Sequence, residues 1–192
     1  MRPVRVGGRG AGWLWVVLAT WVPTASAQEM ELPRPTPEHG LLKKDLGTWD
    51  ATIKVWMGPG DPVESKGVET NTMLGDLWLI SAFEGEVGGL PFKGHGQYGY
   101  DPLKRRFVIT WVDTFTTSPT ILEGTHDEKS GELTLTGETT GPDGTKAQMK
   151  NVSKHNPDGT RVTTFYMKGE MTGGEWVKSM EIHYRPRRAA ER

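Results

Sequence analysis

Trp111 and Asp113 stand two residues apart in a strand-like run, and Glu123 follows in the next such run. In an extended strand, residues i and i+2 share a face, so Trp111 and Asp113 point the same way, beside Phe107 and Ile109. A hairpin joining the two runs would bring Glu123 close. Two neighbouring buried carboxylates raise each other's pKa and can work as an acid–base pair. Carboxylates at strand ends also cap loop backbone or pair with Lys and Arg, which perturbs them without any catalysis. The pattern favours binding over an enzyme. Trp111, Asp113, Glu123, Tyr98, His95 and Trp78 form the candidate ligand-binding set, with Trp111 as apolar surface and Asp113 as hydrogen-bond anchor.

Other chemistries find less support. The histidines are His39, His95, His126, His155 and His183, and none forms H-x-H, H-x-x-x-H or HExxH. Because His95, His126 and His183 lie in separate strand candidates, a barrel could gather them into a three-histidine metal site, or offer one to haem iron. No serine sits in a G-x-S-x-G elbow. The run Gly85–Gly89 contains an acid and precedes no helix, unlike a phosphate cradle. Without cysteine, thiolate nucleophiles, zinc–thiolate sites and lipid attachment at a lipoprotein cysteine are all excluded. The expectation is no cofactor; the alternatives are a metal-independent enzyme using Asp113 and Glu123, or a haem or metal barrel using His183, His95 or His126.

The elements that must hold these residues are nearly all strands. Thr36 or Pro37 opens a short helix in which Leu41, Leu42 and Leu46 form one apolar face, and Gly47 ends it. From Trp49 the period becomes two, with Trp49, Ala51, Ile53 and Val55 on one face. Further strands are predicted over 63–73, 77–86, 92–100, 106–114, 121–127, 132–139, 147–155, 160–168 and 176–184. Turn residues separate them at spacings suited to hairpins and too short for crossover helices. Glycines inside the runs, such as Gly67, Gly94, Gly96, Gly99, Gly124 and Gly137, suit bends and bulges. About ten strands in hairpin order close more naturally into a barrel than they stack into a sandwich, because closure removes the sheet edges. Apolar residues on both faces of some strands, such as Trp78-Leu79-Ile80, would also suit a homodimer.

The N-terminus reads as an export signal. Arg2, Arg5 and Arg9 precede an apolar core around Trp13–Ala19, and Ala25-Ser26-Ala27 supplies a small-residue cleavage site. That apolar run is shorter than the ~20 residues a membrane span requires. Residues 1–27 are thus assigned to a signal peptide, 28–36 to a Pro-rich linker, 37–186 to the barrel and 187–192 to a tail. The mature chain, cleaved near Ala27 and periplasmic or secreted, contains no membrane span. The chain carries 23 basic and 24 acidic residues, and the leader removes only three arginines. The remaining charge of about −4 offers no basic field for nucleic acid or anionic lipid.

Several phrases occur in a fixed order: Glu38-His39, Leu46-Gly47-Thr48-Trp49, Gly99-Tyr100-Asp101-Pro102, Thr110-Trp111-Val112-Asp113 and Leu122-Glu123-Gly124. Together they resemble the bacterial domain-of-unknown-function 1579 family, small calycin-like proteins, over roughly residues 37–186. The resemblance implies a lipocalin-like fold and brings no activity with it. In lipocalins the Trp of Gly-x-Trp packs across one barrel end, beneath a basic residue from near the end of the last strand. Here that implies Trp49, with Arg185 or Lys178 over its ring. The expectation is therefore an all-β protein: a single antiparallel up-and-down lipocalin-like β-barrel of about ten strands with a short N-terminal helix. Its expected partner is a small apolar molecule.

Overall fold

A computed structural model describes residues 32–141 and 144–188. The chain divides between Pro33 and Arg34, and the barrel lies in the second unit. Residues 1–27, read above as an export signal, and residues 28–31 of the linker lie outside the described residues. Among those described, no helix is long and apolar enough to cross a membrane.

Ten strands follow, their side chains alternating between the two faces: β1 Gly47–Val55, β2 Val63–Leu74, β3 Trp78–Val87, β4 Leu90–Asp101, β5 Arg106–Asp113, β6 Thr120–Asp127, β7 Glu132–Thr140, β8 Lys146–His155, β9 Arg161–Lys168 and β10 Val177–Pro186. Each pairs antiparallel with its sequence neighbours, and β1 pairs with β10 from Trp49↔Pro186 to Val55↔Met180, so the sheet closes. Closure gives every strand two partners and leaves no edge. The expected ten-stranded barrel with one short helix is present.

That helix is shorter than the leucine spacing predicts. α1 spans His39–Leu42 and tightens into a 3₁₀ turn over Lys43–Asp45. Leu42 is buried, but Leu46 is extended and exposed, because the 3₁₀ turn carries it off the apolar face. Gly47 then takes a φ of +100°, a conformation L side chains rarely adopt, which turns the chain into β1. His39 is buried, with its Nδ1 3.0 Å from the Thr36 backbone N–H and its ring edge-on to Tyr100.

Two apolar clusters fill opposite walls. One gathers Leu42, Leu79, Phe107, Ile109, Leu122 and Leu135; the other Trp49, Ala51, Ile53, Phe83, Ile182 and Tyr184. Trp111 packs against both. Its indole lies on Gly94 and Gly96 of β4, where an added Cβ would come within 2.3 Å and 2.8 Å of the ring. These glycines provide a flat shelf for an aromatic ring, whereas the sequence pattern alone suggests bends. Gly99 does the same for Trp78 on the outer face. A methyl at Gly96 would also meet Tyr98 at 2.6 Å. Gly96→Ala should therefore cost about 1–3 kcal/mol by overpacking and shift the tryptophan emission. Urea melts monitored by fluorescence read both effects; unchanged stability and emission would refute the shelf.

Candidate functional site

The strand directions give the barrel two distinct ends. At one end lie the start of β1, the ends of β2 and β4, and the start of β9, with the 3₁₀ turn beside them. Here Arg161 points inward and is buried, at 6% exposure. Its Nη1 donates to Asp45 Oδ1 at 2.5 Å and its Nη2 to Glu69 Oε1 at 2.6 Å. Its guanidinium carbon lies 3.9 Å from the Tyr184 ring centre and 5.3 Å from that of Trp49. Trp49 Nε1 donates to the Asp45 carbonyl at 2.8 Å, and Asn71 Nδ2 donates to that carbonyl and to Glu69 Oε1, each at 2.8 Å. His155 Nε2 lies 3.0 Å from Asp45 Oδ1. The cation over Trp49 is thus Arg161 of β9. Arg185 points outward on β10, opposite Asp50, and Lys178 instead covers Trp56 at 4.0 Å.

Electrostatics at this end follow from burial competing with pairing. Burial would raise the Asp45 pKa, but Arg161 and the His155 contact outweigh it and hold the carboxyl below its usual value. Burial opposes the charge on Arg161, yet Glu69 and Asp45 keep it firmly protonated. Tyr184 and Tyr98 are both pushed up, chiefly by burial and next by the nearby Glu69 charge. Every strong charge here is committed to a neighbour, so the cluster works as a floor that holds five elements in place.

Above this floor the interior is mixed in character. Trp111, Met149, Asn151 and Phe165 face inward by register, yet all are only half-buried. In a closed barrel, residual exposure of an inward side chain can only face the lumen or its mouth. Ser153 Oγ and Thr163 Oγ1 pair at 2.9 Å on the β8–β9 wall. Asn151 Oδ1 and Ser81 Oγ are buried without a protein partner. Unpaired buried polar atoms in an otherwise apolar space suit water or a ligand carrying a polar group.

The candidate residues separate by face. Trp111, Asp113 and Tyr98 belong to the inner face. Trp111 Nε1 donates to Asp113 Oδ2 at 3.0 Å, while Asp113 Oδ1 accepts from the Phe115 and Thr116 backbone N–H groups at 2.8 and 3.1 Å. Asp113 thus fixes the indole and caps the following loop, the structural role its position at a strand end allowed. Glu123 pairs in register with Val108 and Thr136 on the outer face, and accepts a 2.8 Å bond from Lys104. His95, opposite Val112 and Ala82, and Trp78, lying on Gly99, also face outward. Asp113 and Glu123 therefore stand on opposite sides of the wall, which removes them as an acid–base pair. His126 faces inward opposite Leu133, whereas His95 and His183 face outward, so the three histidines do not converge. Among the described residues no group of His, Asp and Glu is arranged to hold a metal ion.

Arg161, Glu69, Asn71 and Tyr184 carry no motif that marks them in the sequence. The nearest hint is the even spacing of Ser65, Glu69 and Asn71, which places polar groups on one face of β2. A family model described as a protein of unknown function (DUF1579) matches residues 34–186, and the chain belongs to that family. No curated protein matches it.

Proposed function

We propose that this member of the DUF1579 family is an exported binding protein that holds a small, largely apolar molecule in the barrel lumen. The observation carrying this reading is the half-buried state of Trp111, Met149, Asn151 and Phe165, all inward-facing in a closed barrel. A lumen packed solid would bury inward residues away from its mouth, so four partly exposed inward residues support open space inside. Trp111 supplies the ring surface, held by Asp113, and Tyr98 stands beside it on the neighbouring strand. Asn151 Oδ1 and Ser81 Oγ add buried oxygens without a protein partner to the inner wall. Glu123, His95 and Trp78 lie outside this space and have no part in it. The basic leader and the Ala25-Ser26-Ala27 site support delivery across a membrane.

Native mass spectrometry of the full-length gene product, purified from the periplasm of a bacterial host, is expected to show the barrel with a co-purified small molecule. Losing a central aromatic anchor costs at least about 1.4 kcal/mol, so Trp111→Phe should lower the retained fraction about tenfold. A ligand-free barrel, or equal retention by Trp111→Phe, would sink the proposal.

A further inference from the structure

The wall is not paired along its whole height. The β2–β3 ladder runs from Leu74↔Trp78 only as far as Gly67↔Gly85. Beyond that point β2 stays with β1, down to Val63↔Val55, while β3 stays with β4, out to Val87↔Leu90. The two glycines pinch the strands together at the last rung: a Cβ on Gly85 would fall 2.4 Å from Gly67 Cα. Past the pinch, strands that follow different neighbours must diverge.

An opening of about 840 Å³ occupies the divergence, lined by Ser65, Lys66, Gly85, Phe92, Lys93 and Thr114 among others. Ser65 is in register with the core residue Ile53 and so faces inward, whereas Lys66, one residue on, faces outward. The opening is therefore bordered at the rim by residues of both faces of the wall.

Its chemistry is specific. Phe92 is half-buried at the slot and packs edge-on against Phe83 at 5.8 Å on the lumen side and Phe115 at 5.0 Å on the loop side. Ser65 is 7% exposed, and its hydroxyl is buried with no partner. The flanking charges are largely neutralised, by Lys54–Glu64 at 3.4 Å and Lys93–Glu84 at 2.6 Å. Lys66 and Glu86 add one charge of each sign. An aromatic ladder, one unpaired hydroxyl and no net field select a neutral ring-bearing molecule over an ion.

We propose that the slot between β2 and β3 is a binding subsite for the ring end of a neutral aromatic ligand with one hydrogen-bonding group, of the phenol, arylamine or aryl ketone class. The ring packs against Phe92, its polar group bonds Ser65 Oγ, and the remainder of the molecule continues into the lumen. This rests on the lumen being a binding space.

The test uses N-phenyl-1-naphthylamine, a neutral fluorescent arylamine, with the anionic 1-anilinonaphthalene-8-sulfonate as comparison. The wild-type chain is expected to bind the neutral probe more tightly. Ser65→Ala should weaken it about 3- to 10-fold, the worth of one hydrogen bond, and Phe92→Leu about 10-fold, the scale of an aromatic anchor. Ser65→Ala also removes an unpaired buried hydroxyl, so its melting temperature should be unchanged or higher. Lower affinity without lost stability is a result that a purely structural serine would not give. Wild-type affinity within about twofold in both variants, while Trp111→Phe weakens binding, would overturn the slot and leave the lumen reading standing. Failure of the wild-type chain to bind the neutral probe, or a preference for the anionic one, would also overturn the slot proposal. The co-purified mass would then judge the lumen independently.

Discussion

Replacing Arg161 by Ala is expected to destabilise the protein by about 3–5 kcal/mol, the usual cost of stranding buried charges by removing their partner. The guanidinium is the shared counter-charge of Asp45 and Glu69, at 2.5 and 2.6 Å, and it also lies over the rings of Tyr184 and Trp49. Without it two carboxylates share a low-dielectric floor, with only His155 beside Asp45. A typical domain is stable by about 5–15 kcal/mol, so this one change would remove a large part of the total. Arg161→Lys should recover only part of the loss, because a single ammonium cannot reproduce the planar fork that reaches both carboxylates. Combining Arg161→Met with Asp45→Asn and Glu69→Gln should recover more, since no buried charge then remains. Urea unfolding of the four proteins decides the matter. An Arg161→Ala cost below about 1 kcal/mol, the range of exposed ion pairs, would show that the cluster is solvated and has no structural hold.

The size of that effect follows from what the cluster joins. Asp45 ends the 3₁₀ turn, Trp49 lies near the start of β1, Glu69 in β2, Arg161 opens β9 and Tyr184 lies near the end of β10. Arg161 and Asp45 are 116 residues apart in the chain. Slipping β9 by one residue would swing Arg161 to the outer face and leave both acids unpaired. The ion cluster therefore penalises wrong registers at the seam where β1 meets β10. This is the help a long meander needs, because each hairpin fixes only its own register.

Sequence alone resolved some of this well and some not at all. Alternation around Trp49, Ala51, Ile53 and Val55, with Gly and Pro between runs, located all ten strands, since period and turn chemistry are local properties. His95 and Tyr98 lie three apart in one strand, so they cannot share a face, and only Tyr98 could belong to a lumen set. The face of Glu123 is not legible in the sequence, because the loop from Thr114 to Pro119 can return the chain in either parity. Only the register Phe107↔Gly124 fixes Glu123 on the outside. Arg161 was invisible for another reason: its partners are distant in sequence, and a lone Arg at a strand start carries no local mark. The slot was also hidden, since it arises where paired strands part company.

The same floor gives a prediction at high pH. Tyr184 and Tyr98 have phenol groups whose pKa values stand above the ordinary 10, chiefly because burial disfavours the phenolate and next because Glu69 is nearby; Arg161 opposes this only in part. A folded-state pKa above the unfolded value means that the stabilisation is complete below about pH 10 and is lost as pH rises through the folded value. In that window the unfolded chain has released protons that the folded chain still holds. Each such tyrosine steepens the fall in stability by about 1.4 kcal/mol per pH unit, so the two together contribute about 2.7. Tyr98→Phe and Tyr184→Phe should each flatten the fall by about 1.4 kcal/mol per unit, whatever the lysines add in the same range. Urea midpoints across this range, read beside tyrosinate absorbance, test the pair. If either phenol ionises at its ordinary pKa while the barrel is still folded, that ring is reached by water and the floor is not sealed on its side.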